Sequence, residues 1–167
     1  MTVVLVTGMS GTGKSTALVE LARRGHRVVD TDYGSWTHDE PGTERLWRED
    51  RMEALLAEDR DGALFISGSV ANQGRFYPRF DAVVLLSAPV DVILGRVAAR
   101  EMNDFGKTDE QRAAIVEDLA TVEPLLRAGA TAEIDTRAPI AEVVDELERI
   151  ARAGSDPFAN VLAESDG

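Results

Sequence analysis

Cysteine is absent from this 167-residue chain. That excludes disulfides, thiol nucleophiles and cysteine metal sites, and it fits a reducing compartment. Histidine occurs twice, too rarely for a histidine-built metal cage. Of the 18 basic residues only Lys14 and Lys107 are lysine, so those two positions hold lysine against a strong arginine bias. No apolar run approaches the roughly 20 residues needed to cross a bilayer, and the first residues show no basic segment followed by an apolar stretch. A cytoplasmic location away from membranes is therefore expected. Positive charge is in deficit as well: 30 acidic residues against 18 basic ones give a formal net charge of -12. Such a balance lacks the clustered cations that neutralise nucleic acid phosphates or anionic lipid, so neither is an expected partner. Repeats and low-complexity segments are missing too, and the length fits one domain. With 44% hydrophobic and 29% charged residues, the chain has the composition of a folded domain with a core.

What is present is an alternation of strand and helix signals. Residues 2–7 form a continuous apolar and β-branched run, the pattern of a strand buried on both faces of a parallel sheet. A glycine-rich loop follows, then a helix from Thr16 to Arg24 with Ala17, Leu18, Leu21 and Ala22 along one face and Gly25 at its C-terminal end. Residues 26–30 read as a second strand, 43–58 as a helix after a polar loop, 63–67 as a third strand and 81–86 as a fourth. Pro89 opens a helix carrying Val90, Ile93, Leu94 and Val97 at core spacing. The pattern breaks over Glu101 to Thr108, resumes as a helix to about Arg127 interrupted at Pro124, and ends with a strand at 132–135 and an amphipathic helix from Ile140. Strands alternating with helices imply a parallel α/β sheet. Residues 1–153 are expected to form the domain, and the polar stretch 154–167 to fray as an acidic tail.

Between the first strand and its helix stands Gly8-Met9-Ser10-Gly11-Thr12-Gly13-Lys14-Ser15, a full G-x-x-x-x-G-K-[ST] phosphate loop in the context its mechanism demands. Glycines let the loop curl so that successive backbone N–H groups point at phosphate oxygens, and the helix from Thr16 onward adds its positive N-terminal end. Lys14 supplies a charge for the β and γ phosphates, and the Ser15 hydroxyl is a ligand type suited to Mg²⁺. ATP and Mg²⁺ are the expected cofactors. Neither an N-K-x-D guanine motif nor an L-S-G-G-Q transporter signature occurs, and no predicted strand ends in the D-E pair of AAA-type motors.

Asp30-Thr31-Asp32 follows the second strand, sixteen and eighteen residues beyond Lys14. This resembles the D-x-D of shikimate kinases, which belong with the nucleoside monophosphate, gluconate and adenylate-type kinases. The resemblance extends from Thr2 to about Arg152 in layout and implies a P-loop fold with a five-stranded parallel sheet of order 2-3-1-4-5, flanked by helices and closed by a short lid. It implies that Asp30 holds Mg²⁺ through water and that Asp32 orients the acceptor hydroxyl and takes its proton. Carboxylates at the C-terminal end of a strand beside the phosphate loop face the crevice where open α/β sheets bind ligands. Ser67-Gly68-Ser69 stands where that family has three glycines, so the amides of Gly68 and Ser69 are expected near the acceptor. Trp47-Arg48 is similar to the F-R pair that grips the acceptor carboxylate there. Arg48 and then Arg75 are the guanidinium groups expected to bind an anionic acceptor.

Arg96 and Arg100 show the R-x-x-x-R spacing that opens the lid of adenylate-type kinases, where the arginines meet the adenine and the phosphates. A lid at about 100–109 with Arg100 and Lys107 would close over the transferring group. Asp135-Thr136-Arg137-Ala138-Pro139 is similar to the adenine-cradling segment, making Arg137 and Pro139 candidate nucleotide contacts, while His38 lies beyond Asp32 within possible reach of the acceptor. The expected activity is ATP-dependent phosphorylation of a small, anionic hydroxylated metabolite by a monomer or weak homodimer. A nucleoside or nucleoside monophosphate kinase is the alternative, and an ATP-binding regulatory module that transfers no phosphate is an alternative of another class.

Overall fold

The computed structural model describes residues 2–38, 44–58, 61–99 and 109–155. Its main sheet is built from β1 (Thr2–Thr7), β2 (Arg27–Asp30), β5 (Ala63–Ser67), β6 (Ala82–Ser87) and β7 (Ala132–Asp135). Every pairing is parallel and the order is β2-β5-β1-β6-β7, which is 2-3-1-4-5 when these five strands are counted along the chain. β1 is central and buried throughout. Its alternation sends Val4 and Val6 into a core with Leu18, Leu21, Phe65, Val84 and Leu147, and Val3 and Leu5 into a second core with Trp47, Met52, Leu55, Ile66 and Phe76. Helices α1 (Lys14–Arg23) and α6 (Ile140–Ser155) cover the first face, and α2 (Glu49–Ala57) with a 3₁₀ turn at Gln73–Arg79 covers the second. Against one end, α3 (Val90–Ala98) and α4 (Asp109–Thr121) share a smaller cluster of Ile93, Val97 and Ile115. Sandwiching the strands between helices places the C-terminal ends of β1, β2 and β5 at one rim, where the candidate site lies.

Two expected helices differ. Instead of a helix from residue 43, the chain forms β3 (Thr37–His38) antiparallel to β4 (Leu46–Trp47), and α2 begins only at Glu49. The backbone of this segment has tertiary partners that a helix would lose. Asn72 accepts from Trp47 N–H through Oδ1 (2.9 Å) and donates to its carbonyl through Nδ2 (3.1 Å), while Arg48 N–H donates to the Trp36 carbonyl at 2.7 Å. Helix propensity is a fraction of a kcal/mol per residue, on the order of 0.5, and yields to such pairing. The helix expected to run to Arg127 is divided into α4 and α5 (Glu123–Gly129), and the division falls at Val122. Pro124 thus sits in the first turn of α5, where its missing N–H leaves no bond unmade. Pro89 caps α3 from an extended conformation rather than entering its first turn. The last helix continues to Ser155, two residues past the expected domain end at 153, and the remainder of the tail lies outside the described residues.

Candidate active site

Gly8 leaves β1 at φ 152°, and a Cβ there would stand 2.5 Å from the Leu86 carbonyl oxygen and 2.8 Å from Thr12 Oγ1. Only glycine lets the chain turn so close to β6. The loop then folds on itself: Thr12 donates to the Met9 carbonyl from its backbone N–H (3.3 Å) and its hydroxyl (2.8 Å). Gly13 precedes α1 at φ 94°, with open space where a Cβ would stand and no side chain to cap the first-turn amides. Those amides remain available to an anion, as helix N-termini in phosphate loops require. Lys14 reaches back across the loop, its Nζ donating to the carbonyls of Gly8 (2.6 Å) and Met9 (3.1 Å). Ser10 on the loop and Thr16 in the first turn of α1 are exposed, and Gly11 is buried against Ile93 and Val97.

The structure brings Ser15 and Asp30 together. Ser15 Oγ donates to Asp30 Oδ2 at 2.8 Å, and Asp30 Oδ1 accepts the Asp32 N–H at 3.1 Å. Between the two carboxylates Thr31 turns inward, its N–H and hydroxyl donating to the Ser67 carbonyl, while Trp47 Nε1 donates to Thr31 Oγ1 at 2.9 Å. A buried threonine held by three hydrogen bonds pins the D-x-D, and its flanking aspartates open toward the rim. Asp32 is exposed and paired with Arg45, whose NH1 stands 3.1 Å from Asp32 Oδ1. Arg45 is one of the arginines that enrich this half of the chain, but the sequence favours Arg48 and Arg75 over it as acceptor contacts. Its position thirteen residues beyond Asp32 becomes adjacent only when β3 and β4 pair.

The remaining expected contacts divide. Gly68 lies beside this cluster, but its N–H donates to the Val6 carbonyl at 3.2 Å and cannot serve an acceptor. The reason for glycine there is packing, since a Cβ would stand 2.5 Å from Thr31 Oγ1 and 2.9 Å from Trp47. Ser69 is half-buried next to it. Arg48 is exposed at the start of α2, its Nε donating to the Thr37 carbonyl at 3.4 Å, and His38 is exposed on β3. Arg75 is exposed and bound to Glu49, so it faces solvent with a carboxylate already attached. Arg100, Lys107 and the rest of residues 100–108 of the expected lid at about 100–109 lie outside the described residues, and Asp109 begins α4.

On the other side of the loop a cleft of about 450 Å³ is lined by Gly11, Gly13, Thr16, Arg96, Ala99, Thr136, Ala138, Ile140 and Val143. Arg96 lines it, donating to the Gly11 carbonyl (3.2 Å) and to Thr136 Oγ1 (2.8 Å) and carbonyl (2.6 Å). Arg137 and Pro139, the expected nucleotide contacts on this segment, are not among the residues lining the cleft. Beyond β7 the chain turns at Thr136 and Arg137; Thr136 and Ala138 face the cleft, while Arg137 reaches back to Asp135 at 2.7 Å. That pair holds the Asp135 carboxyl below the usual carboxylate range. Among the described residues no group of three or more acidic or histidine side chains could hold a metal by itself. Mg²⁺ needs no such cage, because it retains several waters, and a hydroxyl and a carboxylate already in contact fit its preference for hard oxygen ligands.

A central strand running into a glycine-bound phosphate loop, with a carboxylate delivered by the edge strand β2 to the first turn of α1, defines an α/β domain of the P-loop nucleotide-binding class. The sequence matches the AAA domain family over residues 4–117, and the chain belongs to that family. Similar solved structures include shikimate kinase from Acinetobacter baumannii in complex with shikimate, at 17% identity and TM-score 0.65, covering 90% of this chain and 92% of that one. A gluconokinase from Sinorhizobium meliloti 1021 shows 20% identity and TM-score 0.55 over 99% and 98% of the two chains. A sugar kinase from Janibacter sp. HTCC2649 shows 23% identity and TM-score 0.53 over 92% and 98%. The fold is that of these small P-loop kinases. No curated protein matches the sequence.

Proposed function

We propose that this protein is an ATP-dependent kinase that transfers the γ-phosphate to a hydroxyl of a small anionic metabolite. The observation that carries the reading is the Ser15–Asp30 contact at 2.8 Å with Asp32 one step further along the same loop. A hydroxyl and a carboxylate beside the phosphate loop suit a magnesium nucleotide, and a second carboxylate at the rim suits an acceptor hydroxyl. Ser15 and Asp30 would hold Mg²⁺, which when bound supplies charge neutralisation to the β and γ phosphates. Lys14 exchanges its loop carbonyls for those phosphates. Arg96 and the walls of the cleft position the base. Asp32, released from Arg45, orients the acceptor oxygen and takes its proton as that oxygen bonds to the γ-phosphorus and the bond to the departing ADP breaks. Positioning and electrostatic stabilisation are the main things phosphoryl transfer asks of a protein.

The solved structures named as a shikimate kinase, a gluconokinase and a sugar kinase support a small-molecule acceptor. A motor reading of the family name finds no support in β5, the strand beside β1 that ends in Ser67 rather than in an acidic pair. The test is ADP release with Mg²⁺ and ATP across hydroxylated acids, polyols, nucleosides and nucleoside monophosphates, with Lys14→Ala as the blank and mass spectrometry on each hit. An acceptor acid or polyol that gains one phosphate supports the proposal. Phosphate transferred to a nucleoside or nucleotide instead selects the alternative kinase class, and ATP binding with no acceptor in any group selects the regulatory reading.

A further inference from the structure

Arg45 grips Asp32 twice. One guanidinium nitrogen donates to the carboxylate Oδ1 at 3.1 Å and the other to the Asp32 backbone carbonyl at 3.3 Å. Most exposed ion pairs join two long, mobile side chains and contribute little. Here the backbone holds both ends. The Arg45 carbonyl accepts the Ala71 N–H at 3.1 Å from the loop after β5, and the next residues, Leu46 and Trp47, lie in the β3–β4 ribbon. The Asp32 N–H is fixed on Asp30 Oδ1. The two side chains nevertheless stay open to solvent, 43% exposed at Arg45 and 40% at Asp32, so a molecule arriving at the rim can reach both. The carboxylate assigned to the acceptor hydroxyl is thus engaged by a cation of its own chain. An oxygen that accepts from a guanidinium has fewer lone pairs for a hydroxyl, and the arginine sets its direction.

We propose that Arg45 is a specificity-determining residue that couples recognition of an acid to the freeing of Asp32: an anionic group of the acceptor takes over the guanidinium, and the exchange turns Asp32 to the hydroxyl of the same molecule. The proposal rests on the reading of Asp32 as the residue that orients the acceptor and takes its proton. Arginine forks suit planar anions, so an acid group can replace Asp32 on the same nitrogens. The geometry narrows the acceptor. The guanidinium nitrogen and Oδ1 are 3.1 Å apart and each new hydrogen bond spans about 2.8 Å, so acid group and reacting hydroxyl lie within about two carbons of each other, as in a short hydroxy acid. The same contact restrains a side reaction. While Arg45 holds Asp32, no base aligns a water on the γ-phosphorus, the attack that breaks the bond to ADP and releases free phosphate.

The experiment measures ATP hydrolysis by the full-length protein with Mg²⁺ and no acceptor, using acetate as the anion probe, an acid without a hydroxyl, against chloride at equal ionic strength. Arg45→Ala is expected to raise hydrolysis about two- to fivefold, the range for an exposed pair. Arg45→Lys, which keeps the charge, should return it toward wild type, and adding Asp32→Asn to Arg45→Ala should remove the rise. Acetate should stimulate the wild type and leave Arg45→Ala unaffected. A readout independent of turnover is the Arg45 Nε–Hε resonance in ¹⁵N NMR of the ADP complex, which should move on Asp32→Asn and on acetate addition. On a phosphorylated hydroxy acid, Arg45→Ala should lower kcat/KM about tenfold or more. Wild-type hydrolysis in Arg45→Ala overturns the proposal, as does an Arg45 resonance that acetate leaves in place. If Asp32→Asn fails to transfer phosphate while Arg45→Ala matches wild type, only the role of Arg45 falls; if Asp32→Asn transfers phosphate as wild type does, the reading of Asp32 falls with it.

Discussion

Gly8 and Gly13 have positive φ angles of 152° and 94°, but their surroundings differ. At Gly8 a methyl group would meet the backbone of β6; at Gly13 it would project into open space at the N-terminus of α1. Gly8→Ala is therefore expected to lose stability by about 3 kcal/mol, the upper end for backbone strain, because a clash with fixed backbone adds to it. Gly13→Ala should lose about 1 kcal/mol from conformation alone, yet lose nucleotide affinity more severely. Thermal unfolding together with ADP titration of the two variants checks the inversion. Asp32 makes the second residue-scale prediction. With an acceptor in hand, Asp32→Asn should lower kcat by about 100-fold or more, the scale of general acid–base assistance, while ATP KM changes by less than about threefold. Steady-state kinetics in both substrates decide it; a kcat within a few-fold of wild type removes Asp32 from the proton transfer.

At the scale of elements, the short β3–β4 ribbon assembles the surroundings of Asp32. It brings Arg45 to Asp32 and Trp47 to Thr31, and it is tied to the loop after β5 by Asn72 and by the Ala71 N–H on the Arg45 carbonyl. Gln73 continues this brace, donating to Thr7 Oγ1 at the end of β1 and accepting from Val70 N–H. Asn72→Ala leaves the Trp47 backbone unpaired in a half-buried setting and should cost about 1–2 kcal/mol, read by urea unfolding. Faster amide exchange at Trp47 with unchanged exchange in α1 and α6 would locate the effect in the ribbon. Uniform acceleration would instead mean global loss only. The ribbon was hidden in the sequence because Glu44 to Glu58 has acceptable helical composition, and only the distant Asn72 and Trp36 take the backbone of residues 47 and 48 away from a helix. The phosphate loop, by contrast, was legible because its conformation depends on its own glycines.

Across the whole molecule, negative charge is in excess, and several carboxylates are stabilised by specific partners. His26 and then Arg24 hold the Glu148 carboxyl below the usual range, joining the turn between α1 and β2 to α6. Arg127, helped by the Ser87 hydroxyl, does the same for Glu133, as do Arg149 for Glu146 and Arg137 for Asp135. A carboxyl whose folded pKa lies below its unfolded value contributes stability that is present above the unfolded pKa, about 4, and lost as pH falls through the folded pKa. Stability should therefore drop as pH is lowered from about 5 toward 3, and Glu148→Gln should flatten part of that drop. Chemical denaturation at a series of pH values tests this, and an unchanged acid slope in the variant would separate Glu148 from the acid response.

The alternation of strands with helices, the phosphate loop and the aspartates at the end of β2 followed from residues close together in the chain, where alternation, glycine geometry and helix periodicity act locally, while the order of the five strands followed from the resemblance to shikimate kinases. Contacts between distant segments were decided by the tertiary structure. It set Arg45 rather than solvent against Asp32, and Thr136 and Ala138 rather than Arg137 and Pro139 in the cleft. The physical reason is the same in each case. A side chain's partners depend on which strand lies beside it and which face it shares, and residue spacing along the chain carries neither.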